Sequence, residues 1–307
     1  MTRFIIIRIL QAIITLIGII VLVFFMVRIS GNPVLFMISP LSTESEIKVL
    51  QQQLGLDKSY WEQFGIYIRD LTRGNLGESF IKRIPVSEMI GSALPNTLKL
   101  GVPSFLIGTI LGIALGVLAA TKRDSFLDNG IKFLAILGQA LPGFWVAIMA
   151  VLVLSVYWEL LPPAGMGGIQ NYVLPVGTMI FFMLPGMMRL VRSTMLDVLD
   201  SEYVKLARIK GLPERMVIWK HALRNAIISP LTVAGMMLAG IIGGAVITEN
   251  IFNWPGMGKL AVESTIGRDF PVVQAIAIIA AVMILGVMII VDIAYAYVDP
   301  QIRFQKS

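Results

Sequence analysis

No cysteine occurs among the 307 residues, and His221 is the sole histidine. The first absence excludes disulfides, thiolate catalysis and cysteine-ligated metals. The second removes any metal site built from clustered histidines. Charge is scarce as well: 14% of residues are Asp, Glu, Lys or Arg, where a soluble domain carries about 25%. Apolar residues make up 56% of the chain, gathered in long runs. Together these features define an all-α polytopic membrane protein and override the one or two soluble domains that length alone would allow. Basic residues outnumber acidic ones, 25 to 19. In a soluble protein that excess would suggest nucleic acid. Here it fits basic cytoplasmic loops beside anionic membrane lipids, with no nucleic acid involved.

The first apolar run, Phe4 to Val27, follows Arg3 and is interrupted by Arg8. It is too long for the apolar core of a signal peptide, and no small-residue cleavage site follows it, so a retained membrane helix is expected. Five more runs follow: Leu100–Ala120, Phe133–Tyr157, Tyr172–Met188, Leu231–Ile251 and Val272–Tyr297. Each can cross about 30 Å of hydrocarbon at about 1.5 Å per residue, which gives six transmembrane helices. Between the first and second lies a polar stretch, Ser30 to Asn96. In it Thr43-Glu44-Ser45-Glu46 reads as the cap of an amphipathic helix, and Tyr60 to Leu71 as a second helix.

Lys and Arg set the orientation. With the N-terminus inside, Lys122, Arg123, Lys132, the cluster from Arg189 to Arg224, Arg303 and Lys306 all face the cytoplasm. The Trp158–Asn171 loop then faces outward with no Lys or Arg. The Asn253–Pro271 loop has only Lys259 and Arg268, balanced by Glu263 and Asp269. Gly108, Gly112 and Gly116 share one face of the second span, and Gly240 and Gly244 repeat that spacing in the fifth. Such stripes serve close helix packing within the chain.

Several chemistries fail on inspection. Gly256-Met257-Gly258-Lys259 resembles the end of a phosphate loop, but Asn253 replaces the first glycine and Leu260 the Ser or Thr. No chain of buried Asp, Glu and His runs through the spans and no inverted repeat is visible, which argues against a self-contained channel or secondary transporter. An intramembrane enzyme would need metal ligands or a nucleophile–base pair, and neither is present. Asp292 and Glu249 lie near the ends of spans, Glu249 at the outer side. Gln139, Thr178, Thr232 and Glu249 are the polar residues proposed to touch a translocation path.

The densest signal is the basic segment Glu202 to Pro230. Asp200 or Ser201 can cap a helix starting at Glu202. Lys205, Arg208 and Lys210 gather at its negative end, Gly211 stops it, and Pro213-Glu214 suits the first turn of a second helix running to about Asn225. The product is a rigid helix–glycine turn–helix elbow on the cytoplasmic side. A lipid anchor would explain the cations but not the sharp Gly-Leu-Pro-Glu turn.

Lys205-Leu206-Ala207-x-x-x-Gly211 resembles the EAA-x-x-x-G loop of ABC importer permeases. The wider set is similar to the dipeptide/oligopeptide/nickel permease family in its first-subunit form. It includes Gly31-Asn32-Pro33, Leu54-Gly55-Leu56-Asp57, Gly74-Asn75-Leu76-Gly77, Leu94-Pro95-Asn96-Thr97, His221-Ala222-Leu223-Arg224-Asn225, Phe252-Asn253-Trp254-Pro255-Gly256-Met257-Gly258 and Asp299-Pro300. The resemblance implies a type I ABC importer permease fold. The chain would divide into an N-terminal helix (1–29), an extracytoplasmic domain (30–93), the transporter domain (94–297) with its coupling loop (201–226), and a cytoplasmic tail (298–307). It implies a pore subunit for peptides, or for nickel, glutathione or a glycoside, in a bacterial inner membrane with both termini cytoplasmic. The implied partners are a second homologous permease, two ATPase subunits and an extracytoplasmic substrate-binding protein. The chain itself would hold no cofactor and catalyse nothing, with ATP and Mg on the ATPase subunits. The ATPase-coupling residues would be Lys205, Leu206, Ala207, Arg208, Lys210, Gly211, Leu212, Glu214 and Arg215.

The orientation is open to a direct check, since the chain has no native thiol. A Met166→Cys variant is expected to react with an impermeant thiol reagent on intact cells, and a Glu214→Cys variant only after the cells are opened. The reverse pattern would contradict the assigned topology.

Overall fold

The computed structural model describes residues 2–37 and 43–298. Residues 299–307, nearly all of the expected tail, lie outside that range, as do Met1 and 38–42. The described residues are helical with no strand, only an isolated bridge between Glu78 and Pro85. Four helices are long and apolar enough to cross a membrane unaided, and two bent pairs raise the number to six. The straight ones are α1 (Thr2–Ile29), α4 (Val86–Thr121), α7 (Gln170–Leu199) and α13 (Phe270–Val298). One bent pair is α5 (Phe126–Ala140) with α6 (Gly143–Ala150), which continues as a π-helix over Val151–Tyr157. The other joins the end of the elbow to α11 (Ile228–Ile251).

The expected straight span from Phe133 to Tyr157 is thus corrected. The chain turns by 102° between α5 and α6. Pro142 is the cause: it brings no N–H to continue the ladder, and it forces Leu141 into extended backbone, with ψ at 130°. Two other prolines behave differently. Pro175 and Pro185 both lie inside α7 without ending it, as membrane helices tolerate when neighbouring groups take up the freed carbonyls.

At 1.5 Å per residue, the 30 residues of α7 span about 45 Å, well beyond the hydrocarbon core. The helix is therefore long enough to carry its last turns beyond the membrane and into the elbow that follows it. Its main neighbour is α4, and the contact depends on the glycine stripe. A Cβ on Gly112 would lie 2.7 Å from Met187 Cγ, and one on Gly116 would lie 2.7 Å from both the Met188 carbonyl oxygen and Val191 Cβ. The glycines let the two backbones close to a distance that no larger residue permits. In α11 the expectation does not hold for Gly240, which has nothing within 4 Å among the described residues.

The segment between α1 and α4 sits on the membrane helices. Thr43 forms the expected capping box with Glu46 at the start of α2 (Glu44–Gln53), and Ser59 forms another with Glu62 at α3 (Tyr60–Thr72). Phe64 and Tyr67 of α3 pack on Phe24 near the end of α1, and Arg28 donates to Gln63 at 2.8 Å. The next turn is tied to the start of α13, where buried Asp269 accepts from the Ser79 hydroxyl and from the Phe80 N–H. At the other end of the bundle, Asp292 on α13 pairs with Arg8 on α1 at 3.1 Å. Two charges that look isolated in the apolar runs thus answer each other.

Candidate functional site: the helical elbow and the Glu249 knot

The elbow begins with α8 (Glu202–Ile209). Ser201 occupies the N-cap position, but its hydroxyl donates back to the Val198 carbonyl and caps nothing, so the expected side-chain cap is absent. The end of α8 is closed by a Schellman motif: Gly211 N–H donates to the Arg208 carbonyl at 2.9 Å and Leu212 N–H to that of Ala207 at 3.4 Å. Gly211 has φ +76°, a conformation that costs a residue with a Cβ. Pro213 is the N-cap of the short α9 (Glu214–Met216) rather than a residue in its first turn. The helix continues as a π-helix over Val217–Ala222 and ends in α10 (Leu223–Ala226).

Two further ties fix the angle. The Arg208 guanidinium grips the Glu214 carboxylate with two bonds across the turn, at 3.2 and 2.8 Å. The same contact holds the Glu214 carboxyl below its ordinary pKa. Asn225 donates to the Tyr203 hydroxyl at 2.8 Å, joining the far ends of the unit. Inside the angle, Val204, Ala207, Val217 and Ala222 pack in one core with Val117 and Ala120 of α4 and with Met187, Val191 and Met195 of α7. Leu212 packs against the same core. The elbow is therefore continuous with the α4–α7 pair.

A buried ion pair extends this body to α5. Asp128, with no exposed surface, takes two bonds from Arg192 of α7, at 2.7 and 2.8 Å, and a third from Lys132 at 2.8 Å. The Asp124 N–H adds a bond at 3.0 Å. Removing one partner of such a pair costs about 3–5 kcal/mol, because the other charge stays buried.

Of the nine expected coupling residues, the structure gathers all on the elbow but turns them two ways. Ala207 is buried and Leu212 half-buried toward the core, while Lys205, Leu206, Arg208, Lys210, Gly211, Glu214 and Arg215 are exposed. Alongside them stand residues that sequence reasoning missed. Ile209 is 81% exposed, and Trp219, Tyr203 and Met216 are exposed too. The signal was there: α8 carries one apolar stripe at Val204 and Ala207 and a second at Leu206 and Ile209, and a short helix cannot bury both.

The four residues proposed for a translocation path are not brought together. Gln139 accepts from Arg189 at 2.9 Å, joining the end of α5 to α7. Thr178 is buried and donates to the Pro175 carbonyl at 2.9 Å. Thr232 donates to the Ile228 carbonyl at 3.4 Å, near the start of α11. Glu249 lies at the other end of that helix, wholly buried.

Glu249 is the centre of a polar knot at the end of the bundle away from the elbow. Helix α12 (Met257–Ile266) starts against it. The Glu249 carboxylate accepts from Gly258 N–H at 2.7 Å, from Lys259 N–H at 3.1 Å and from the Thr97 hydroxyl at 2.6 Å. Thr97 in turn accepts from Met257 N–H at 2.8 Å, and Gly256 N–H donates to the Trp254 carbonyl. All four N–H groups that a helix start leaves unpaired are thus satisfied, three of them by side chains from α11 and α4. Space is made by glycine: a Cβ on Gly256 would lie 2.3 Å from Glu249 Oε1. The turn at Trp254-Pro255-Gly256 exposes Pro255 and buries the residues on either side of it. Trp254 is fully buried, donates from Nε1 to the Asn96 carbonyl at 2.9 Å and meets Tyr172 edge-on at 4.7 Å.

A bundle of membrane helices with a rigid helical elbow at one end and a locked turn at the other fits a transporter permease. The family described as the binding-protein-dependent transport system inner membrane component matches residues 112–304, and the corresponding N-terminal family matches residues 1–101. The oligopeptide transport system permease protein AppB of Bacillus subtilis is 36% identical over 99% of this chain and 100% of its own length. The dipeptide transport system permease protein DppB of Escherichia coli K12 is also 36% identical, over 100% of both chains. Among solved structures, a chain of the MetNI methionine ABC transporter in an inward-facing conformation aligns with a TM-score of 0.59 at 15% identity, over 69% of this chain and 96% of that one. The chain belongs to the binding-protein-dependent transport system inner membrane component family, and its fold is that of ABC importer permeases.

The knot yields a stability prediction. Glu249→Ala leaves a hydroxyl and two backbone N–H groups buried without their acceptor, at about 1–3 kcal/mol each. Glu249→Gln keeps an oxygen for the α12 N–H groups and should cost about 1 kcal/mol. In detergent, the alanine variant is expected to melt well below the glutamine variant. Equal melting temperatures would show that the carboxylate is not what caps α12.

Proposed function

We propose that this chain is the pore-forming subunit of an ATP-driven importer that carries di- or oligopeptides into the cytoplasm, with both of its own termini on the cytoplasmic side. Its partners are a second homologous permease, two ATPase subunits that bind ATP and Mg, and an extracytoplasmic substrate-binding protein. The peptide assignment is supported by full-length likeness to relatives named for dipeptide and oligopeptide transport.

The observation that carries the mechanism is the elbow's double character. Its inner side is one core with α4 and α7, and its outer side offers Leu206, Ile209 and Trp219 uncovered. Such exposed apolar residues rimmed by charge suit a socket on another protein. ATP-driven closure of the ATPase pair would turn the elbow as a unit, and the shared core would pass that rotation to the spans. A loop held only by lipid would absorb the motion instead.

The test contrasts geometry with charge. Gly211→Val forces a β-branched residue to φ +76°, at a cost above the about 1 kcal/mol expected for alanine. It is expected to insert and accumulate normally but to lose copurification with the ATPase subunits and peptide uptake. Neutralising Lys210 and Arg215 together, which leaves the Arg208–Glu214 tie intact, is expected to do much less. A Gly211→Val transporter working at the wild-type rate, or greater damage from the neutral pair, would refute the coupling role.

A further inference from the structure

In the groove between α5 and α7 lies a cavity of about 200 Å³. Asp128 meets Arg192, Ala135 shares a core cluster with Met188, and a Cβ on Gly138 would lie 2.4 Å from Pro185 Cγ, so α5 runs antiparallel along α7. Lys132, Arg189 and Arg192 line the cavity, and no Asp or Glu does. Behind it the buried Asp128 carboxylate is shared by Arg192 and Lys132. Three cations against that one carboxylate leave two positive charges. Asp124 offers little relief, because it is 77% exposed, 4.0 Å from Lys132 and paired with Arg123 as well. Arg189 has no carboxylate partner among the described residues, and its guanidinium donates to the neutral Gln139 amide oxygen.

We propose that this cavity holds the headgroup phosphate of an anionic phospholipid, whose acyl chain runs along the apolar face of α5. Charge, lining and depth all support that occupant. The surplus of two cations calls for an anion from outside the chain. The floor of the cavity is apolar, made by Ile131, Ala135 and Met188. Ile136 in its wall and Phe133 next to Lys132 are 65% and 60% exposed. A free anion has no use for such a surface, whereas a lipid joins a negative head to an apolar chain. Depth points the same way. From Gln170, where α7 starts, about 30 Å of hydrocarbon takes about twenty residues and ends beside Arg189. Arg189 and Arg192 thus stand at the level of the headgroups, where basic pockets between membrane helices bind anionic lipids. A phosphate there bonds to Arg189 and Arg192 of α7 and to Lys132 of α5, and so reinforces the Asp128 tie that joins α5 to the frame of the elbow. The site is independent of what the transporter carries.

The assembled transporter would be purified in detergent, stripped of lipid and titrated with dioleoylphosphatidylglycerol or dioleoylphosphatidylcholine, with bound lipid counted by native mass spectrometry. The wild type is expected to bind one phosphatidylglycerol about tenfold or more tighter than phosphatidylcholine, the worth of one hydrogen bond to a charged group. Arg189→Gln removes the charge that no carboxylate answers and is expected to lose that lipid. Gln139→Glu gives Arg189 a carboxylate from within the chain and is expected to lose the lipid too, without loosening the fold. Lys122→Gln makes the same change of charge as Arg189→Gln at the same end of the bundle but outside the cavity, and should keep it. Equal affinity for the two lipids, or equal loss in Lys122→Gln, would overturn the proposal by showing apolar contact or diffuse attraction alone. Displacement of the lipid by inorganic phosphate or by phenylalanylleucine would overturn it as well, assigning the cavity to a free anion or to the transported peptide. So would binding by the isolated chain but not by the assembled transporter, since a partner subunit would then cover the groove.

Discussion

Close approach of α4 to α7 is the contact on which both functional ends depend. Membrane helices gain nothing from hiding apolar surface, since lipid is equally apolar, so they hold together by dense packing. Gly112 and Gly116 make that density available, and Met187, Met188 and Val191 use it. Because the pair is stiff, what is attached to its lower end and what is attached to its upper end share one frame. Below, Val117 and Ala120 of α4 and Met195 of α7 enter the same core as the elbow. At the other end, Leu100 of α4 and Val176 and Met179 of α7 pack with Trp254 beside the Glu249 knot.

Polar groups then fix what packing leaves free. Apolar contact sets distance but not angle, and each functional end needs an angle. The Arg208–Glu214 grip and the Schellman turn set it in the elbow, and the Asp128–Arg192 pair brings α5 into the same body. At the opposite end Glu249 sets the start of α12 through backbone N–H groups. Asp128 and Glu249 are buried, so loss of their ties leaves groups unpaired, while the Arg208–Glu214 grip is exposed and adds direction to an angle the Schellman turn already sets.

Much of this was legible in the sequence where the signal is local. Spans, caps and the elbow follow from runs, Thr43-to-Glu46 spacing and a glycine before Leu-Pro-Glu, since each depends on a few neighbouring residues. Gly211 at positive φ is the clearest case. The break at Pro142 was half visible: a proline in an apolar run permits either a tolerated kink or a corner. Pro175 and Pro185 took the first course and Pro142 the second. The knot was hidden because its bonds join Thr97 to Glu249 and Asn96 to Trp254 across about half the chain. The sequence shows Glu249 only as an acid near the end of a span, and its bonds to Thr97 and to the start of α12 depend on residues far from it.

The central claim is that elbow, α7 and the start of α5 move as one body. Spin labels on cysteines at Asn129→Cys and Arg215→Cys, in the assembled transporter, would measure that directly by pulsed electron resonance with and without trapped ATP. The account predicts one distance distribution, unchanged by nucleotide. A distance that shifts when ATP is trapped would mean that the elbow bends on its own and does not drive the spans.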